Sequence, residues 1–514
     1  MAIDAGTTGV RALVVDEAGV VTDLAYRELA QSFPKPGWVE HDPAEIWSAV
    51  RATLAEVATR LAEAGTAVAA VGITNQRETA VAWDRRSGRP LAPAIVWQDR
   101  RTADLCDRLA RGGHLPSVRD RTGLVLDPYF SATKYGWLLT DGGLADAATG
   151  AGTELALGTV DSWVLWNLTS GPAGGVYATD AANASRTLLY DIHERRWSAE
   201  LCDLFGVPMA ALADVRPCCG RLGTVGAEAV GGGPAGRMLG GVPVSGMAGD
   251  QQAALFGQCC FQPGMAKVTY GTGSFVLANA GAAPPSPPDG LLVTVAWDLG
   301  EHGGPGGPGG PGGPLAYALE GSTFVSGAAV QWLRDGLGLI ETAEDLEPVA
   351  ASVPDSGGVT VVPAFTGLGS PWWDPRARGT ITGLTRGAGR PQLARATVEA
   401  MAFQVRDMLD AMVAATGQPL RQLRADGGAS AMALLLQLQA DQAQVPVVRP
   451  RSVESTALGA ATLAGLAEGV WGSLDDLAAL WQPATEIQPA VDRELADLAY
   501  GPWLAAVDRA RAWA

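Results

Sequence analysis

The chain has 514 residues and a formal net charge of −17, with 47% of its residues hydrophobic and 18% charged. Such a composition supplies packed cores for a chain of about three domains' length and excludes wholesale disorder. With an acidic balance and only three lysines (Lys35, Lys134 and Lys267) to offer ammonium groups, it argues against nucleic acid and anionic lipid as partners.

The six cysteines are the singles Cys106 and Cys202 and the adjacent pairs Cys218–Cys219 and Cys259–Cys260, a spacing that suits neither a zinc site nor a disulfide framework. No stretch approaches the ~18 apolar residues of a membrane span, and no signal peptide precedes Asp4. The expectation is a soluble, cytoplasmic protein with reduced thiols and no membrane insertion.

Residues 2–16 read as strand, glycine turn (Gly6-Thr7-Thr8-Gly9) and strand. Only three residues precede Asp4, fewer than the five or so of an ordinary strand, so the reading frame is expected to begin upstream. A helix follows, capped by Asp42, with Pro43 in its first turn, Glu45 three residues after the cap, Gly65 as its stop, and an apolar stripe of Ile46, Val50, Leu54, Val57 and Leu61. An apolar strand at 68–73 delivers Thr74-Asn75-Gln76-Arg77-Glu78 at its carboxyl end, where α/β folds bind ligands. Residues 155–168 are again apolar, and 180–186 read as a polar loop.

A second strand, glycine turn and strand spans 266–277 around Gly271-Thr272-Gly273, an internal echo of the first. Each turn offers backbone N–H groups with little side-chain bulk, as a phosphate cradle requires. Two such turns would grip one polyphosphate between two halves of the chain. Between strands at 292–297 and 315–319, the Gly-Gly-Pro repeats of 303–314 read as a surface extension without function. A helix at about 392–416 ends at Gly417 and Pro419, and residues 420–425 lead to the turn Asp426-Gly427-Gly428 and another helical stretch.

Several nucleotide chemistries are excluded. No lysine is followed by Ser or Thr after a glycine, so there is no Walker-A loop, and none of His41, His114, His193 and His302 lies in an H-R-D or H-E-x-x-H string. Gly231, Gly233 and Gly236 match G-x-G-x-x-G, but Pro234 interrupts them and no helical run is expected to follow, so this reads as a surface turn. A phosphate-binding protein of this kind must use backbone amides, hydroxyls and a metal.

Together these strings resemble the FGGY family of carbohydrate kinases. The resemblance is carried by residues 4–11, 72–79, 95–102, 127–131, 183–187, 249–254, 270–273, 363–374 and 426–428. Within the family, Asn75-Gln76-Arg77-Glu78-Thr79 is most similar to members that phosphorylate glycerol. The resemblance implies an α/β fold of two actin-like (ribonuclease H-like) domains flanking a nucleotide cleft, residues 1–255 on the substrate and phosphate side and 256–514 on the nucleotide side. It implies ATP and Mg²⁺ as co-substrate and cofactor, glycerol as acceptor, and a homodimer or homotetramer.

Residue by residue, the resemblance makes Asp250 the catalytic base and assigns glycerol to Arg77, Glu78, Trp97, Tyr129, Asp250, Gln251 and Phe275. Trp97 and Phe275 form the apolar wall that a three-carbon triol needs beside its hydroxyl partners. Thr7, Thr8, Arg11, Thr272, Gly327, Gln331, Gly428 and Met432 face the nucleotide, and Asp4 and Asp250 the metal. Asp250 also reads from the residues as the N-cap of a helix starting at Gln251. Two positions depart from the pattern: Met432 replaces an asparagine that hydrogen-bonds near the adenine, and Gly240 replaces the arginine of members inhibited by fructose-1,6-bisphosphate. Met432 puts ATP affinity or base selectivity in question, and that inhibition is not expected. Another polyol or sugar kinase of the family, acting on erythritol or a pentulose, and a degenerate actin-like nucleotide-binding protein are the alternatives.

Overall fold

Strand Ala2–Ala5 pairs antiparallel with Gly9–Val15 across the first glycine turn and parallel with Val71–Asn75. The second hairpin repeats this arrangement: Met265–Tyr270 pairs antiparallel with Ser274–Gly281 and parallel with Gln422–Asp426. The computed structural model describes residues 1–148, 152–301 and 315–511, so the Gly-Gly-Pro tract of 303–314 lies outside the described residues.

Each hairpin is the centre of a larger sheet. The first is six-stranded, in the order Cys219–Thr224, Pro243–Gly249, Val71–Asn75, Ala2–Ala5, Gly9–Val15, Val21–Glu28. The second is seven-stranded, in the order Leu292–Asp298, Leu315–Thr323, Ser274–Gly281, Met265–Tyr270, Gln422–Asp426, Val447–Pro450, Pro483–Ile487. Six consecutive positions of the two sheets share the same sequence of parallel and antiparallel neighbours. This is the two-domain α/β architecture expected from the sequence.

Helix Pro43–Ala64 covers the first sheet with Ile46, Val50, Leu54, Val57 and Leu61, all buried in its core with Ile3, Val10 and Ile73. Asp42 caps it by accepting the Ala44 N–H, and Gly65 ends it at φ +67°. Helix Arg390–Thr416 does the same for the second sheet, ending at Gly417 with φ +64°. Among the described residues no helix is long and apolar enough to cross a membrane, and the six cysteines are buried and unpaired.

Three local expectations are corrected. Residues Asp180 to Arg186 are not a polar loop: Ala181–Ala184 is a buried helical turn whose cap, Asp180, accepts the Ala182 and Asn183 N–H groups. Burying these polar residues is tolerable because they satisfy one another. The glycines from 231 to 236 lead into a helix, Gly233–Leu239, since proline is compatible with a first helical turn. Asp250 is the first residue of helix Asp250–Gly257 rather than its cap, which is Gly249.

That helix is held by an unusually close crossing. Against it lies helix Ser455–Ala467, and a Cβ on Gly459 would stand 1.8 Å from the Ala253 carbonyl oxygen, while one on Gly257 would stand 2.1 Å from that of Ser455. The same helix packs on the first sheet, where Gly72 and Gly246 meet the backbone of Ala460 and Ala464. Gly459→Ala should therefore lower the unfolding free energy by about 1–3 kcal/mol or more, since no flexible side chain can yield. Gly501→Ala, in helix Arg493–Ala510 with nothing within 4 Å of its Cβ, should raise it by about 0.5–1 kcal/mol. Denaturant titration of both variants checks the pair.

Candidate functional site

Strand Val71–Asn75 ends between the first glycine turn and helix Asp250–Gly257, and the chain then turns sharply through Arg77 and Glu78. Thr79 N–H donates to the Arg77 carbonyl at 2.7 Å, and Glu78 takes a left-handed φ of +58°, rare for a residue with a side chain. Two buried side chains pin this turn: the Glu78 carbonyl accepts Ser131 Oγ and Lys134 Nζ, each at 3.1 Å. Lys134 Nζ also donates to the Tyr129 carbonyl at 2.6 Å, so one amine fixes two of the residues assigned to substrate.

Arg77 and Glu78 are 2% and 1% exposed, and both are ion-paired. Arg77 Nη1 donates to Glu320 Oε2 at 2.6 Å and Nη2 to Glu320 Oε1 at 3.2 Å. Its Nε lies 3.2 Å from Asp250 Oδ1, Nη2 reaches the Tyr129 hydroxyl at 3.2 Å, and Nη1 reaches Gln252 Oε1 at 3.2 Å. Arg186 closes the cluster, donating from Nε to Glu78 Oε1 at 2.6 Å and from Nη2 to Glu320 Oε1 at 2.9 Å. Burial works to raise the Glu320 carboxyl, but Arg186 and Arg77 overcome it and hold it down at about 2. Burial prevails at Glu78, whose carboxyl is raised against the pull of Arg77 and Arg186.

Asp250 keeps 30% of its side chain exposed and accepts the Gln251 N–H at 2.7 Å. Burial raises its carboxyl above the ordinary range, opposed by Arg77, the Gln251 N–H and Lys267. A carboxylate made more basic in this way is a better proton acceptor. Trp97 and Tyr129 meet edge-to-face at 5.7 Å, forming an apolar wall, and Trp97 Nε1 donates to Thr7 Oγ1 at 2.9 Å. Phe275 belongs to the second sheet, opposite Ser322 and two residues along from the Leu277–Glu320 pair, hence on the face that carries Glu320. Lys267 Nζ bonds Gln251 Oε1 and donates to Thr269 Oγ1 at 2.8 Å, tying the Asp250 helix to the second sheet.

Of the residues assigned to nucleotide, Thr7, Thr8 and Arg11 lie on the first hairpin and Thr272 at the turn of the second, while Gly327 and Gln331 belong to helix Gly327–Gln331, and Gly428 and Met432 lie in and just after the turn Gly428–Ala431. In the second hairpin, the Gly271 carbonyl accepts the Gly327 N–H at 2.9 Å, and the Thr272 carbonyl accepts the Ser326 and Ala328 N–H groups at 2.8 and 3.0 Å. Gly327 fits because a Cβ there would stand 2.6 Å from the Gly271 oxygen. Gly427, at φ +83°, packs on Tyr270, and the following Gly428 is exposed with nothing within 4 Å of a Cβ. Thr272 and Gln331 are exposed, and Met432 packs against the second core. In the first hairpin Thr8 is exposed, and Arg11 Nη1 lies 3.4 Å from Asp4 Oδ2.

Burial pushes the Asp4 carboxyl up to about 7 against Arg11, with Asp250 and Glu454 adding to the rise. Asp4 and Asp250 are thus close enough to repel, a tension that a divalent cation would relieve. Among the described residues no group of three or more His, Cys, Asp or Glu side chains could hold a metal ion. Two carboxylates fit Mg²⁺, which keeps much of its shell as water and phosphate oxygen.

A model of the N-terminal domain of the FGGY family of carbohydrate kinases matches residues 1–257, and one of its C-terminal domain matches residues 266–468. The chain belongs to the FGGY family of carbohydrate kinases. Among FGGY relatives it is 52% identical over 514 residues to the glycerol kinase of Aromatoleum aromaticum, covering 100% of this chain and 99% of that one. It is 53% identical over 516 residues to the glycerol kinase of Trichlorobacter lovleyi, with the same coverage. The crystal structure of Plasmodium falciparum glycerol kinase with ADP is similar at a TM-score of 0.91 and 32% identity, covering 99% of this chain and 97% of that one. A xylulose kinase from Rhodospirillum rubrum is similar at a TM-score of 0.85 and 26% identity, covering 99% and 98%.

Four members of the cluster, Lys134, Arg186, Lys267 and Glu320, were assigned no role from the sequence. The available signal was a charged residue inside an apolar strand, Glu320 in 315–323 and Lys267 in 265–270, since such a charge must find a partner. Lys134 yields a test. Burial pushes its amine down to about 7, whereas the unfolded chain holds that proton up to 10.5. The folded state therefore binds fewer protons across this window, and wild-type stability should rise with pH through it. Lys134→Met should be less stable by about 1–3 kcal/mol for the orphaned Tyr129 carbonyl, since Ser131 still serves that of Glu78, and the gap should widen between pH 7 and 10. Unfolding titrations at several pH values check this.

Proposed function

We propose that the chain transfers the γ-phosphoryl group of ATP to glycerol, giving sn-glycerol 3-phosphate and ADP. The observation that carries the reading is the partly exposed Asp250 carboxylate, ion-paired with Arg77 beside the buried Arg77–Glu78 pair and the Trp97–Tyr129 wall. Relatives about half identical over the whole chain and named glycerol kinase support glycerol over a pentulose, and the ADP-bound neighbour supports ATP.

In this reading Arg77, Glu78, Tyr129 and Gln251 bind the hydroxyls, and Trp97 and Phe275 cover the carbons. Asp250 takes the proton of the terminal hydroxyl as its oxygen attacks the γ-phosphorus. The bond from phosphorus to the β–γ bridging oxygen breaks in line, and ADP leaves with that electron pair. Thr7, Thr8 and Arg11 from the first hairpin and Thr272 from the second hold phosphates, while Gly327, Gln331, Gly428 and Met432 line the nucleoside. Asp4 and Asp250 would hold Mg²⁺, which shields phosphate charge when bound. Residues 1–255 carry the substrate and phosphate side, residues 256–514 the nucleotide side. Completing the reading, the enzyme is cytoplasmic and pairs into dimers or tetramers, as the family resemblance suggests.

Asp250→Asn should lower kcat by about 10²–10⁴-fold while equilibrium binding of ADP stays within twofold of wild type. Activity near the wild-type level would remove the base from Asp250. A panel of glycerol, erythritol and xylulose, followed by coupled ADP release, should give the highest kcat/KM with glycerol. A higher value with another acceptor would reassign the substrate, and ADP binding without turnover of any of the three would point to a degenerate kinase.

A further inference from the structure

We infer that Glu320 and Arg186 are positioning residues for acceptor recognition, acting through Arg77 and Glu78; the inference rests on the phosphoryl-transfer reading above. Arg77 and Glu78 come from the turn after a first-sheet strand, and Arg186 follows a helical turn of the same half. Glu320 comes from the other half, on strand Leu315–Thr323 of the second sheet. It lies in register with Leu277 and Leu292, in the interior of that sheet. The orientation of the pair that meets the acceptor is thus set by a residue from across the molecule.

The geometry gives each charge a task. Glu320 engages both terminal nitrogens of Arg77, which leaves Nε as the nitrogen ion-paired with Asp250 at 3.2 Å. Without that grip the guanidinium is free to swing and present its terminal nitrogens to Asp250, the group that must accept a proton. Arg186 does for Glu78 what Glu320 does for Arg77. It bonds one Glu78 oxygen through Nε, and its guanidinium lies 5.6 Å from the ring centre of Tyr129 and 5.2 Å from that of Phe130. Glu320 Oε1 bonds both arginines, so the four charges alternate in sign and move as one unit.

Fold stability alone does not call for this arrangement. A buried ion pair is commonly no better than well-packed apolar residues of the same volume, whereas removing one partner is costly. A scaffold role predicts general loss of stability and of both substrate affinities; a positioning role predicts a selective loss on the acceptor side. The charges at stake belong to Arg77, Glu78, Arg186 and Glu320, and the nucleotide hairpins contribute none of them.

The test is a steady-state series on the full chain: Glu320→Gln, Glu320→Asp, Arg186→Met and the double variant Arg186→Met/Glu320→Gln, with circular dichroism to check folding. Wild type is first assayed on glycerol, erythritol and xylulose, and the series is run with whichever acceptor it prefers. A wrong substrate assignment then shows in wild type and leaves the positioning question standing. Glu320→Gln and Arg186→Met should each raise the KM for the acceptor by at least about 30-fold while the KM for ATP stays within twofold. The double variant, which removes one charge of each sign, should be less impaired than the product of the two single effects. Should Glu320→Gln fail to fold, Glu320→Asp carries the test, with a smaller rise confined to the acceptor KM. An unchanged acceptor KM in a folded Glu320 variant, equal changes in both KM values, or a double variant equal to the product would overturn the inference.

Discussion

Arg77, Glu78, Arg186 and Glu320 sit almost wholly out of water where the two halves of the chain meet. An isolated charge in such a place is driven to neutralise; here each has an opposite neighbour within hydrogen-bonding distance. This requirement fixes more than the four residues. It brings a strand of the second sheet to the turn after Asn75, and it leaves Arg77 Nε to pair with Asp250. Tyr129 is included through a bond to Arg77, and Lys134 holds the backbone that carries both Tyr129 and Glu78.

The two halves share a strand pattern but use it differently. In the first, the hairpin turn borrows a partner from outside the sheet, since Thr7 accepts the Trp97 indole N–H. In the second, the turn is braced by N–H groups of Ser326, Gly327 and Ala328, and the glycines around it permit close approach of backbone to backbone. One hairpin turn is thus tied to Trp97, and the other to the helix that begins at Gly327. Between them, Lys267 and Gln251 connect the Asp250 helix to the second sheet.

Much of this was legible in the sequence because it is written locally. Caps, glycine stops and apolar periodicity located helices Pro43–Ala64 and Arg390–Thr416 nearly to the residue, and the two Gly-Thr turns announced the repeated hairpin. Arg77 and Glu78 stood out because they fall in one short string, Asn75-Gln76-Arg77-Glu78-Thr79. Arg186 and Glu320 did not, because their meaning lies in pairs separated by 108 and 243 positions. No local pattern encodes such a distance. The misreading of residues 180–186 has the same origin: polar side chains signal a loop until it is known that Asn183 pairs with Asn75 and that Asp180 caps its own helical turn.

Helix Ser455–Ala467 lies late in the chain, yet Ala457, Ala460 and Ala461 share a cluster with Ala2 and Leu13. The earliest strands to leave the ribosome therefore wait for nearly the whole polypeptide before one face of their sheet is sealed. A fragment stopping near residue 255 would lay Ala2 and Leu13 open to solvent, along with the glycine notches of Gly72 and Gly246. Although the molecule is built on two similar plans, neither plan closes alone, and maturation during synthesis is a property of the entire chain.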